Sequence, residues 1–202
     1  MARAAVPELF PLFRSRLQGE LLAYVLMSPD RERTASDIAA AIAAPLSTTS
    51  RELDRLVRAG ILTERRLGRA RLVSANLETP TLGPVTELAL HTFGPRWVIE
   101  DEFEGLSGAE EIWIFGSWAA RYAGQPGPPP GDVDVLIVGR PDRTAMYEAA
   151  QRAETRLGKP VNTTVRSARS WREEPDAFVR RLRDRPLVPV IPTRAEPHGS
   201  AG

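Results

Sequence analysis

The sequence predicts an α+β protein of two domains: a small helical domain closed by a basic hairpin, then an α/β domain with a small mixed sheet. Three observations carry this. A length of 202 residues accommodates one large domain or two small ones. The character of the chain changes across residues 79–95, from short helical patterns to apolar strand-like runs separated by helices. A hydrophobic fraction of 42% with 26% charged residues matches a globular protein and excludes wholesale disorder.

Composition narrows the chemistry. There is no cysteine, so disulfides, thiolate zinc sites and cysteine nucleophiles are excluded. His91 and His198 are the only histidines, too few for a His-rich metal site. Of the 27 basic residues only Lys159 is lysine, so any anion site must be built from arginine. The longest uncharged run, Ile38–Ser50, has 13 residues, short of the ~18 a membrane span needs. Pro7, Glu8 and Pro11 interrupt the apolar N-terminus, so no signal peptide is expected there. A cytoplasmic location is the default expectation.

The first helix is expected over Leu9–Leu26, where Leu17, Leu21, Leu22, Val25 and Leu26 recur at helical steps. Pro29 and Asp30 stop it. Thr34 with Asp37 three residues on forms a capping-box pattern and opens a second helix, lined inside by Ile38, Ala41 and Ile42 and ended by Pro45. A third helix follows over Leu46–Gly60, with Ser47 as expected N-cap and Gly60 at the left-handed C′ position. Thr49, Leu53, Leu56 and Val57 fall on one side of it, and Ser47, Arg51, Asp54 and Arg58 on the other. Ile61–Val73 reads as two strand-like arms around Leu67-Gly68, a hairpin pattern.

This order, and the phrase STTSRELDRLVRAGIL, resembles the winged helix-turn-helix of bacterial transcription regulators of the arsenical-repressor type, over about Gln18–Val73. The resemblance implies that the third helix enters a DNA major groove and that the wing touches the flanking backbone. It also implies a homodimer on two half-sites. Charge agrees. Between Ser47 and Arg71 there are seven arginines (51, 55, 58, 65, 66, 69 and 71) and three acids (Glu52, Asp54 and Glu64), a local net of +4 in a chain of +1. Ser47, Thr48 and Arg51 are the candidates for base-edge or phosphate contacts, with Arg55 on the same helix. Arg65, Arg66, Arg69 and Arg71 are the candidates for the backbone. The plain alternative is an Arg-rich solvated face.

In the second half, Glu111–Phe115 reads as a buried strand that runs through Gly116-Ser117 into a short helix over Trp118–Ala123. Gly124–Gly131 is a proline-rich loop. Asp132–Gly139 is a second buried strand entered by two carboxylates. Alternation puts Asp132 and Asp134 on one face, ~7 Å apart, where a divalent cation would relieve their repulsion. Gly116-Ser117 offers free N–H groups at a strand-to-helix turn, suited to phosphate.

Apolar strand, Gly-Ser, short helix and Asp-x-Asp on the next strand together resemble the minimal nucleotidyltransferase family, over roughly Trp97–Ile191. The resemblance implies that Gly116 and Ser117 grip an NTP. It implies that Asp132 and Asp134 hold Mg²⁺ and act as the catalytic carboxylates. Arg121, one turn after Ser117, either contacts phosphate or pairs with a carboxylate. Two departures stand out. The gap between Ser117 and Asp132 holds fourteen residues, longer than usual for that family. A third carboxylate is missing. The strand expected over Lys159–Val165 carries Asn162 and Thr164 at the expected place, and no acid occurs from Gly158 to Ala168.

The remaining residues read as structural. Trp113, Phe115, Trp118 and Trp171 are expected in the core. Met146 and Tyr147 are expected to pack a helix over Asp142–Leu157 on the sheet. His91 lies in a connecting helix and reads as structural. Glu173 and Glu174 lie on a helix surface, where Arg180, Arg181, Arg183 and Arg185 form a solvated face. The expected domains are 1–78, a linker helix within 79–94 able to pair with a second copy, 95–193, and a disordered tail at 194–202. The expected function is a DNA-binding transcription regulator whose appended domain senses Mg-NTP. Two alternatives stand beside it. One is an active enzyme moving NMP onto a protein, RNA or small-molecule hydroxyl. The other is an antitoxin-like module.

Overall fold

The structure is a computed structural model that describes residues 9–127, 129–173 and 175–191. The expected tail and Glu174 lie outside the described residues. The chain divides into two compact units, one within Met1–Val98 and Ala153–Lys159, the other within Ile99–Arg152 and Pro160–Gly202.

The first unit runs α1 (Arg16–Leu26), β1 (Arg33–Thr34), α2 (Ala35–Ala41), α3 (Leu46–Arg58), β2 (Leu62–Leu67), β3 (Ala70–Ala75) and α4 (Leu82–Phe93). This is the expected order of three helices and a hairpin. β1 adds a third strand, making an antiparallel sheet of order β1-β3-β2.

The long N-terminal helix is corrected. Pro11 sits in a separate 3₁₀ turn, Phe10–Leu12, and α1 begins only at Arg16. Ser15 is extended, and its hydroxyl accepts from the Gln18 N–H, which resets the helix start. From there Leu21, Leu22, Val25 and Leu26 are buried as the spacing predicts. Thr34 and Asp37 form the expected capping box of α2.

Ser47 is not the N-cap of α3. Pro45 holds that place in an extended conformation, and its carbonyl accepts from the N–H groups of Thr48 and Thr49 at 3.1 and 3.0 Å. The Thr49 hydroxyl also donates to it, at 3.1 Å. Ser47 therefore lies in the first turn, exposed. Gly60, at φ 73°, ends the helix as expected. Its N–H reaches Val57 O, and the Ile61 N–H reaches Leu56 O, which closes the last turn through a left-handed residue. In the hairpin, Leu67 pairs with Ala70, so the two-residue turn is Gly68-Arg69 rather than Leu67-Gly68. Gly68, at φ 60°, alone takes the positive angle such a turn needs at its first position.

The rest of the chain contributes α5 (Pro95–Phe103), β4 (Ala109–Phe115), α6 (Gly116–Tyr122), β5 (Val133–Gly139), α7 (Arg143–Leu157), β6 (Val161–Arg166), α8 (Ala168–Arg172), α9 (Ala177–Arg183) and β7 (Val188–Ile191). The sheet is mixed, as expected. Its order is β6-β5-β4-β7, with β5 and β6 parallel and β4 antiparallel to both neighbours. β7 carries Pro189 and still pairs, because an edge strand can spare a donor. The helix expected around Ser170–Leu182 is two helices, separated by a segment that contains Pro175, with Asp176 capping the second.

Leu136 and Val138 of β5 are buried with Trp171, Val179 and Leu182, and Trp113 and Phe115 pack against this cluster. Met146 is buried, but Tyr147 is 59% exposed and does not pack as expected. Among the described residues no helix is long and apolar enough to cross a membrane.

Candidate functional sites

The first candidate site is the outer face of α3 with the hairpin. Thr49, Leu53 and Leu56 turn inward and are buried. Ser47, Thr48, Arg51, Asp54, Arg55 and Arg58 remain exposed, so the helix presents a polar face with several arginines. β2 and β3 carry Arg65, Arg66 and Arg71, and Arg69 sits in the turn between them.

These arginines are not equivalent. Arg55 donates to Glu52, which is only 3% exposed and also accepts from Arg14 at 2.6 Å and Gln18 at 3.0 Å. Arg65 makes a bidentate pair with Glu32, both contacts at 2.5 Å. Arg71 lies between Asp54, at 2.6 Å, and Glu64, at 2.6 Å from Nε. Among the described residues, Arg51 and Arg58 donate to helix carbonyls alone, of Ser47 and Asp54. Arg66 and Arg69 form no ion pair among the described residues. In the sequence Glu52 enters only the local charge count, and Arg14, Gln18 and Glu32 carry no signal of their own. They lie 38, 34 and 33 residues from their partners, so no local spacing betrays them.

The second candidate site lies where β4, α6, β5 and β6 meet. Register places Phe115 opposite Asp134 and Asp134 opposite Asn162. The chain turns from β4 straight into α6 at Gly116, at φ 68°. A Cβ at Gly116 would stand 2.5 Å from Asp134 Oδ2, so only glycine leaves the carboxylate room against this turn. Ser117 is exposed beside it. Asp132, the first residue of the expected strand, lies one residue before β5, which begins at Val133. Asn162 Nδ2 donates to Asp132 Oδ2 at 2.8 Å and to Asp134 Oδ1 at 3.3 Å. Burial pushes the Asp134 carboxyl above the usual carboxylate range. The hydrogen bond from Asn162 opposes this, and the charge of Asp132 adds to it.

The structure thus brings Gly116, Ser117, Asp132 and Asp134 together, with Asn162 where the missing carboxylate was sought. Arg121 turns to the proline-rich loop. Its guanidinium donates to the carbonyl oxygens of Gln125, at 3.2 Å, and Gly127. Among the described residues no group of three His, Cys, Asp or Glu side chains is placed to hold a metal ion.

Two carboxylates form an oxygen-donor pair of the kind that can share a single Mg²⁺ with a phosphate, while Asn162 turns its Nδ2 donor, not its oxygen, toward them. The set does not fit two ions with a carboxylate base, because a carboxamide neither carries the charge nor accepts the proton.

No protein-family model matches the chain, and no curated protein matches it. Among solved structures it is similar to a cysteine-to-serine mutant of MarR from E. coli complexed with operator DNA, with 22% identity and a TM-score of 0.34. It is also similar to the oxidized form of MarR from E. coli, with 21% identity and a TM-score of 0.35. Each alignment covers 44% of this chain and 62% of the other, so the chain spans less than two thirds of the MarR chains it matches.

Proposed function

We propose that the chain is a DNA-binding transcription regulator whose second unit binds Mg-NTP. The observation that carries the first part is the outward face of α3. It presents Ser47, Thr48, Arg51 and Arg58 opposite a buried Thr49–Leu53–Leu56 stripe, next to a hairpin tipped by Arg66 and Arg69. α3 is 13 residues long and narrow enough for the major groove, where Arg51 is suited to a guanine edge and the wing arginines to phosphates. The protein acts as a homodimer, each copy reading one half-site of a palindromic operator.

Arg51→Ala combined with Arg69→Ala is expected to weaken duplex binding about tenfold or more. Fluorescence anisotropy on the full chain measures this. An unchanged Kd removes α3 and the wing from the interface.

The second part rests on Gly116, whose missing Cβ leaves room for the Asp134 carboxylate against the β4–α6 turn. Asp132 and Asp134 would hold the ion, and Gly116 and Ser117 the phosphates. Mg²⁺, when bound, neutralises phosphate charge against the two aspartates. Asn162 gives the site no general base, so the reading is binding rather than transfer. In calorimetry with Mg²⁺ and each NTP in turn, wild type is expected to bind at least one nucleotide. Asp134→Ala is expected to lose more than tenfold in affinity. Absence of heat with all nucleotides sinks this part and leaves the DNA-binding part standing.

A further inference from the structure

Charge counting over Ser47–Arg71 assigns seven arginines to the proposed DNA-facing surface, but the structure has already engaged three of them with carboxylates. Glu32 chelates Arg65. Asp54 and Glu64 hold Arg71 from two sides, through Nη1 and through Nε with Nη2. Buried Glu52 holds Arg55. Pairs as exposed as the first two add little to folding stability. A carboxylate presents the same two-oxygen edge to a guanidinium as a phosphate does.

The register explains the second arrangement. Arg66 and Arg71 stand directly opposite each other on β2 and β3, a repulsive cross-strand pair. Glu64 is diagonal to Arg71 and neutralises it there, and Asp54 reaches it from the exposed face of α3. The hydrogen bond from Arg65 holds the Glu32 carboxyl below the usual carboxylate range, so that pair is fully charged at neutral pH.

We propose that Glu32, Asp54 and Glu64 act as internal stand-ins for DNA phosphates: they occupy Arg65 and Arg71 in the free protein and restrain the surface's sequence-independent attraction to DNA. This rests on the DNA-binding reading and adds a restraint to it. Binding through Arg51, Arg58, Arg66 and Arg69 releases DNA counterions outright. Binding through Arg65 or Arg71 releases a counterion but frees a carboxylate, which gathers a cation of its own. The exchange is close to neutral in salt. The surface should therefore behave as about four cations per copy, not seven.

The test is the salt dependence of binding to a non-operator duplex, by anisotropy on the full chain between low and moderate salt. Each phosphate neutralised contributes about −0.9 to the slope of log K against log salt. Wild type is expected near −3.6 per copy bound (about four such contributions). Glu32→Gln is expected to steepen the slope by about 0.9, and Asp54→Asn with Glu64→Gln by a further ~0.9, each with tighter binding at low salt. The amides keep side-chain size, and unchanged thermal midpoints check that the fold is intact. A wild-type slope near −6, unmoved by the substitutions, overturns the restraint while leaving DNA binding in place. No binding by wild type or any variant overturns both.

Discussion

Glu111→Ala is expected to lower the stability of the second unit by about 3 kcal/mol. Glu111 is 3% exposed in β4, yet its carboxylate is fully employed. Oε2 accepts from the indole N–H of Trp171 at 2.9 Å and from that of Trp113 at 3.1 Å. Oε1 accepts from Arg172 Nη2 at 2.6 Å and Nε at 3.2 Å. Truncation leaves two indole donors without an acceptor, each costing about 1–3 kcal/mol where water cannot replace it. Trp171 is buried and contributes the larger share, while Trp113 is half-buried. Arg172 is exposed and recovers water, so its loss counts for little. Glu111→Gln is expected to fall between, since a carboxamide accepts through one oxygen only. Urea unfolding followed by tryptophan emission reports this directly, because two of the four tryptophans touch the group. A loss below about 1 kcal/mol would show that the network is decoration on a core that packs without it.

Gly19→Ala is expected to destabilise the first unit by about 2 kcal/mol, against what helix propensity alone dictates. Alanine is favoured over glycine inside a helix by about 1 kcal/mol, so a tolerant site would gain stability. Gly19 in α1 is not tolerant. A Cβ there would overlap Cε2 and Cδ2 of the Phe93 ring and stand 2.7 Å from Cζ. Phe93, at the end of α4, is fully buried and meets Phe13 and Trp97 edge to face, at 5.1 and 6.3 Å between centroids. Its edge-to-face neighbours hold the ring in place, so relief requires the ring to shift against them or the two helices to separate. Heat denaturation of the variant decides the sign. A raised midpoint would mean that Phe93 moves aside and that α1 and α4 are less tightly joined than the structure shows.

These two residues show where sequence reasoning stops. Glu111 reads as the polar start of an apolar strand, and nothing within five residues marks it as the acceptor for Trp171 and Arg172, sixty and sixty-one positions away. Gly19 lies inside the expected first helix and carries no signal there. Its purpose is visible only with the Phe93 ring against it. Glu52 is the same case on α3, an acid among arginines that folds inward to gather Arg14, Gln18 and Arg55. Tyr147 is the reverse, an aromatic on a helix otherwise well read, which turns out to solvent.

What the sequence by itself determined was local and periodic. The capping box at Thr34, the left-handed stop at Gly60, the buried face of α3, and the strand-Gly-Ser-helix-loop-strand order around Asp132 and Asp134 all follow from rules that span a few residues. Alternation along a strand also put Asp132 and Asp134 on one face, and the structure adds Asn162 to that face from β6. Tertiary structure alone decided which charges remain available. Net charge along the chain is a sum, and a sum cannot say that Arg65 is spent on Glu32 or Arg71 on Asp54 and Glu64. Those pairings join residues 33, 17 and 7 positions apart: the hairpin register brings Glu64 to Arg71, while Glu32 and Asp54 reach the hairpin only when the segment before β1 and α3 fold against it.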